Sequence, residues 1–263
     1  MEIINSHAHI YPEKIAEKAT NAIGDFYDIS METPTGTTSQ LICDGKKIGT
    51  TKYVVHSVAT TAHQVFSINR FIKSEMDKHL EFIGFMTLQH ELTEEQVNEE
   101  VEWCYQNGFS GVKIHPDFQK VDINDEKMTK IYNAVGCKFP ILFHVGDNRF
   151  DYSKPEKLVE IAKKYPKMNF IAAHFGGYRC WDKYQLYKGL DNVYFDTSSS
   201  LPFITPEHAK NIIDFLGVEK FFFATDFPMW GSENELERFM RIKLSDDDRE
   251  KIFAKNIKNL LKI

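Results

Sequence analysis

What this chain of 263 residues lacks narrows it first. No stretch approaches the roughly 18 consecutive apolar residues of a membrane-spanning helix. The opening Met1-Glu2-Ile3-Ile4-Asn5-Ser6-His7 has neither the basic segment nor the long apolar segment of a secretory signal. Basic charge is also in deficit: 32 Lys and Arg against 38 Asp and Glu give a formal charge of -6. With a pI of about 5.9 there is no cationic footprint for phosphate backbones or anionic lipid surfaces. Neither nucleic acid nor a membrane is therefore expected as a partner, and a soluble cytoplasmic protein is. Cysteine is sparse, and Cys43, Cys104, Cys137 and Cys180 never form a C-x-x-C pair, which excludes a zinc knuckle and a redox dithiol. They read as reduced and mostly buried, with Cys180, just after a Gly-Gly turn, structural rather than nucleophilic. No G-x-G-x-x-G follows an apolar run, so a dinucleotide-binding fold is not indicated.

What is present is a rhythm. Hydrophobic residues make up 42% and charged residues 27%, an ordinary soluble-globular balance. Short apolar, β-branched and aromatic runs alternate with helical patterns, the sequence form of repeated βα units and a parallel sheet. Eight such runs stand out: Glu2 to His9, Lys52 to Ala59, Phe82 to Leu88, Gly111 to His115, Pro140 to Gly146, Asn169 to Gly176, Val193 to Ser199 and Phe221 to Pro228. Between them Pro12, Pro155, Pro206 and Ser245 sit at helix N-termini, and Thr93-Glu-Glu-Gln is a capping box. Eight βα units in about 250 residues predict an α/β fold of the TIM (β/α)₈ barrel type, in one domain over residues 1–263. The irregular stretch from Gly24 to Thr51, with Pro34 and four glycines, extends the first βα connection as a candidate lid. An ornamental loop, or a short helix around Gln40 to Gly45, fits its composition equally well.

In such a barrel the site lies at the C-terminal ends of the strands, and alternate residues of a strand face the interior. His7 and His9, two apart at the end of the first run, therefore point the same way. His144 ends the fifth run, His174 the sixth and Asp226 the eighth. Any one histidine on an apolar strand is commonly a satisfied core residue. Five imidazole or carboxylate groups at one end of different strands cost several kcal/mol to bury without a metal or a complete hydrogen-bond network. Neutral imidazoles plus a carboxylate suit a catalytic divalent ion, Zn²⁺ first, with Mn²⁺, Fe²⁺, Co²⁺ and Ni²⁺ as alternatives.

With these residues in place the sequence resembles the amidohydrolase superfamily, in particular the amidohydrolase-related branch that includes aminocarboxymuconate-semialdehyde decarboxylase. Asn5-Ser-His-Ala-His9 resembles its opening, Gly111-Val-Lys-Ile-His-Pro116 its strand 4 and Phe143-His-Val-Gly146 its strand 5. Ala173-His-Phe-Gly-Gly177, Tyr194-Phe-Asp-Thr-Ser198 and Ala224-Thr-Asp-Phe-Pro228 resemble strands 6 to 8, and Phe253-Ala-Lys-Asn256 the closing helix. The resemblance implies one metal ion held by His7, His9, His144 and Asp226, with His174 and Asp226 as the catalytic proton carriers. Asn5 stands where the family often has aspartate, a change beside the ligands rather than in them. At strand 4, Lys113 and His115 face one side. The superfamily's carboxylated lysine would make Lys113 a bridging ligand, but the mononuclear look of this branch favours structural or substrate-contacting roles for both. Arg149 is a candidate for a substrate carboxylate or phosphate, or else pairs with Asp147 or Asp151. Arg179, Trp181 and Trp230 follow strands 6 and 8 and are candidate pocket residues.

The resulting expectation is a metal-dependent hydrolase, in which a metal-activated water attacks an amide, lactone or ester carbonyl of a small molecule. Asp226 would pass the proton on and His174 would bind the water or the oxyanion. The alternatives are non-oxidative decarboxylation of a small aromatic or enol carboxylic acid, and a non-catalytic metal-binding protein. A TatD-type phosphoesterase fits less well, because strand 4 lacks that type's metal-binding glutamate. A homodimer is the base-rate expectation.

Overall fold

A computed structural model of the protein describes residues 1–263. All eight expected strands are present: β1 (Ile3–His9), β2 (Thr50–His56), β3 (Phe82–Thr87), β4 (Gly111–Ile114), β5 (Ile141–Phe143), β6 (Phe170–Ala172), β7 (Val193–Asp196) and β8 (Phe221–Phe222). They form one sheet in chain order, β1 to β8, the strand order of a TIM barrel. The chain groups into two compact units. The first comprises Met1–His56, His79–Ile83 and Asp196–Ile263, and the second Ser57–Lys78 and Gly84–Phe195.

Most strands end before their apolar runs do. The residues that follow leave the extended region: φ is 82° at Gly146, 62° at His174, 53° at Phe175, 49° at Ser199 and 58° at Asp226. A side chain other than glycine in the left-handed region costs on the order of 1–3 kcal/mol, and such residues concentrate at functional sites. Hydrophobicity extends the runs, and this turn geometry cuts them short.

In the first unit, β1 pairs in parallel with β2, and His9 lies opposite His56. On its other side β1 meets the chain beyond β8. Ser6 N–H donates to Phe223 O at 2.9 Å, Asp226 N–H to His7 O at 3.0 Å and His9 N–H to Phe227 O at 2.8 Å. These bonds set Asp226 beside the histidines. Helix α1 (Glu13–Tyr27) begins just after Pro12, and α2 (Thr38–Lys46) is capped by the Thr37 hydroxyl. The Gly24 to Thr51 stretch thus holds the end of α1, a loop and α2.

That loop is tied to the segment following Asp226. Glu32 N–H donates to Met229 O, and the Glu32 carboxylate accepts from Gly231 N–H at 2.8 Å, the Asn234 amide at 2.8 Å and Arg238 at 2.7 Å. Asp44 accepts from Ser232 N–H at 2.8 Å. Helix α3 (Val65–Lys78), in the second unit, is followed by α4 (Glu94–Gln106), whose Thr93 and Gln96 close the expected capping box. Pro155 and Pro206 open later helices in the same way as expected from sequence, and Ser245 is an N-cap.

Within Ser232–Met240, Glu235 is fully buried, and Arg238 donates to its Oε1 at 2.7 Å while Oε2 has no partner. Burial raises its carboxyl to about 8, the Arg238 hydrogen bond opposing this only in part. A raised carboxyl binds its proton more tightly folded than unfolded, so its contribution to stability is complete at low pH and is lost as pH rises towards 8. Denaturation midpoints should therefore fall between about pH 5 and 8, and Glu235→Gln should flatten that slope. An unchanged slope in the variant would show that Glu235 is ionised throughout.

All four cysteines are free, yet only Cys104 is buried; Cys43 and Cys137 are exposed and Cys180 lies between. The expectation that they are mostly buried fails because Cys43 sits on the outer face of α2 and Cys137 in the turn before β5. No helix is long and apolar enough to cross a membrane.

Candidate metal centre

In the first unit the structure brings His7, His9 and Asp226 together. His7 Nε2 lies 3.2 Å and His9 Nε2 3.3 Å from the same oxygen, Asp226 Oδ1. Donors about 2.0–2.1 Å from one tetrahedral ion stand about 3.3–3.4 Å apart. Each imidazole nitrogen is therefore spaced from the carboxylate oxygen as two ligands of one divalent ion are, and this donor set fits the metal that the sequence implies.

Their orientation is fixed from behind. Asp196, at the end of β7, accepts from His7 Nδ1 at 2.8 Å, which holds the ring proton on Nδ1 and turns the Nε2 lone pair towards Asp226. Asp196 is held in turn by Ser198, whose backbone N–H and hydroxyl donate to Oδ1 at 3.1 and 2.5 Å. On the far side of Asp226, Oδ2 accepts from the Ser199 hydroxyl at 2.6 Å, and the Ser199 oxygen accepts from Trp230 Nε1 at 2.9 Å. The left-handed turns at Ser199 and Asp226 are what let these two side chains meet. Burial, and then Asp226, push the neighbouring Tyr11 phenol well above its ordinary range, so it stays neutral.

Sequence reasoning missed three members of this cluster. His56 is buried, with its ring edge-on to His9 at 4.4 Å. It has no local motif, and only the register of β2 against β1 brings it in. Asp196 lies inside Tyr194-Phe-Asp-Thr-Ser198, a motif that does not itself say what the carboxylate holds. Ser199 carried no signal, because a hydroxyl beyond a strand is common in loops.

The second unit gathers the remaining predicted residues. His144 Nε2 donates to Gly146 O at 2.8 Å, which leaves Nδ1 as its acceptor, 3.0 Å from His174 Nε2. The His115 ring stacks on His144 at 4.0 Å and on Phe118 at 3.7 Å. Gly146 is required here: at its φ of 82°, a Cβ would lie 2.5 Å from Tyr178 N. Asp117, unnoticed in the sequence, accepts from Ser153 at 2.6 Å and lies 3.6 Å from His144 Nε2. Burial raises its carboxyl to about 6. Lys113 is buried. Arg149 forks onto Asp147, Nε to Oδ1 at 3.0 Å and the terminal nitrogen to Oδ2 at 2.7 Å. Trp181 Nε1 donates to His174 O at 3.1 Å. Trp230, in the first unit, serves Asp226 as described.

The family model described as Amidohydrolase matches residues 4–263, so the chain belongs to the amidohydrolase family. The strand-end motifs had pointed to the same family. Several solved structures share its fold. An uncharacterised TIM-barrel protein from Bordetella bronchiseptica is 15% identical with a TM-score of 0.81, over 100% of this chain and 99% of that one. A 5-carboxyvanillate decarboxylase from Novosphingobium aromaticivorans, in complex with manganese and 4-hydroxy-3-methoxy-5-nitrobenzoic acid, is 16% identical with a TM-score of 0.78, over 100% and 96%. A dihydroxybenzoic acid decarboxylase from Polaromonas sp. JS666, with manganese and the inhibitor 2-nitroresorcinol, is 15% identical with a TM-score of 0.77, over 99% and 97%. No curated protein matches the chain.

These likenesses correct the functional expectation. The sequence reading put hydrolysis of an amide, lactone or ester first and decarboxylation second, whereas the similar enzymes are decarboxylases. The physical reason is that a cluster of imidazoles and a carboxylate at strand ends points to a metal ion but not to the bond that the ion would polarise. The same imidazoles and carboxylate serve either reaction, and the choice lies in loops that carry no shared motif.

Proposed function

We propose that this protein is a metal-dependent non-oxidative decarboxylase of a small aromatic or enol carboxylic acid. The observation that carries the proposal is the convergence of His7 Nε2 and His9 Nε2 on Asp226 Oδ1, in a fold shared with decarboxylases. His7, His9 and Asp226 would hold the ion; the family resemblance also offers His144, which would have to release Gly146 O or His174 to free a ring nitrogen for it. The donor set accepts Zn²⁺, the ion expected from sequence, and also Mn²⁺, which such ligands bind more weakly. Manganese in two of the similar enzymes makes Mn²⁺ the ion to load first.

The reaction breaks the bond between the carboxyl carbon and the ring or enol carbon, releases CO₂, and leaves the electron pair on a carbon that takes up one proton. A bound divalent ion supplies positive charge for the substrate's anionic oxygens and for the charge that builds as CO₂ departs. Asp196 keeps the His7 proton on Nδ1, and Ser199 with Trp230 keeps Asp226 turned towards the histidines. Asp226 and His174 are the proposed proton carriers, with His144 Nδ1 3.0 Å from His174 Nε2 as a hydrogen-bonding partner. Lys113, His115, Arg149 and Trp181 are proposed to contact substrate, and Arg149 would exchange Asp147 for a substrate carboxylate in the same forked geometry.

The test is a panel of carboxylated phenols, including 5-carboxyvanillate and 2,6-dihydroxybenzoate, run beside esters and lactones with Mn²⁺-loaded protein. CO₂ release from the acids, abolished by chelation and restored by Mn²⁺, is the expected result. Turnover of the esters or lactones alone would overturn the proposal. A protein that holds metal and turns over nothing in either set would be a binding protein.

A further inference from the structure

His56 is the last residue of β2, and no part of it reaches solvent. The parallel register sets it opposite His9, and paired residues of adjacent strands present their side chains on the same face of the sheet. Its ring lies edge-on to His9, with centroids 4.4 Å apart, and edge-on to His7 at 4.9 Å. One nitrogen from each of His7, His9 and His56 lies within 4.8 Å of the other two. Two nitrogens on opposite sides of one ion, each about 2.1 Å from it, span about 4.2 Å. The 4.8 Å bound is wider than this span, so His56 reaches a common centre with His7 and His9 only by turning its ring inward.

A packing role alone explains this histidine poorly. The neighbouring Val54 and Val55 are fully buried and apolar, and a leucine or phenylalanine at position 56 would fill the space without the desolvation cost of an imidazole.

We propose that His56 is a ligand of the metal ion, so that the first unit alone presents three imidazoles and one carboxylate: His7, His9, His56 and Asp226. This deepens the metal-dependent reading given above and rests on it. Three imidazoles beside one carboxylate favour a borderline transition ion such as Fe²⁺, Co²⁺ or Zn²⁺, bind the harder Mn²⁺ more weakly, and disfavour Mg²⁺ and Ca²⁺, which prefer all-oxygen sites.

The test is a Co²⁺ titration of the full-length, metal-stripped protein, followed by the visible absorption of the bound ion, in wild type, His56→Gln and His56→Asp. Melting curves of the metal-free proteins establish that each variant is folded. A residue that merely supports a ligand changes metal affinity by about 10–100-fold. Loss of a ligand in His56→Gln should exceed 100-fold and shift the absorption band, and His56→Asp, which restores a donor, should recover most of the affinity. Wild-type affinity in His56→Gln, or a weakened affinity with an unshifted band, overturns the proposal. Failure of the decarboxylase reading has a different signature: a wild-type protein that binds Co²⁺ through His56 and releases no CO₂ from any carboxylated phenol.

Discussion

Asp226→Ala should lose its bound metal and its turnover together, with kcat lowered by on the order of 10³-fold, inside the range expected for removing a proton-transferring group. The reason is geometric. Oδ1 is the one atom approached by both His7 Nε2 and His9 Nε2, at 3.2 and 3.3 Å, so its removal deletes the centre of the donor set. Elemental analysis beside steady-state kinetics checks this. Full metal occupancy in the variant with turnover near that of wild type would show that Asp226 neither holds the ion nor carries a proton. Removing Ser199 is a milder intervention: Ser199→Ala takes away the 2.6 Å bond to Oδ2 and frees Trp230 Nε1, and should weaken binding without abolishing it.

The second large effect is expected at Asp196, which never meets the ion in this account. Its carboxylate accepts from His7 Nδ1 at 2.8 Å and so decides which ring nitrogen carries the proton. In Asp196→Asn the Ser198 hydroxyl and N–H continue to bind the side-chain oxygen, which turns the new amide NH₂ towards His7. An NH₂ facing Nδ1 favours the tautomer with its proton on Nε2, the nitrogen that must ligate. Metal affinity should then fall about 10–100-fold, the usual cost of losing an outer partner of a ligating histidine, with the metal-free protein still folded. Unaltered affinity in a chelator competition would mean that His7 does not bind through Nε2.

How much of this was legible beforehand differs from residue to residue. The eight strands were, because hydrophobic runs between helix signals report burial directly. Their C-terminal limits were not: Phe175 and Ala224 are as apolar as the strands before them, and only backbone torsions at His174, Ser199 and Asp226 end the regular pairing. His7 and His9 announced themselves through their spacing of two, and Asp226 through its place in a strand-end motif. His56 did not, since its meaning depends on which residue of β1 it faces, and register is a property of two strands rather than one. Asp117 was hidden for a related reason, lying on the short helix after β4 and gaining its role only where Ser153 and His144 come close. The chemistry was least legible of all, because a divalent ion can assist hydrolysis and decarboxylation alike.

The most direct test of the central claim is to incubate Mn²⁺-loaded protein with 2,6-dihydroxybenzoate or 5-carboxyvanillate in D₂O and to follow both gas and product by mass spectrometry and NMR. One CO₂ should be released per product molecule, with one deuterium at the carbon that bore the carboxyl group and no reaction after chelation. Product formed without CO₂, or CO₂ released at the same rate from metal-free protein, would contradict that claim.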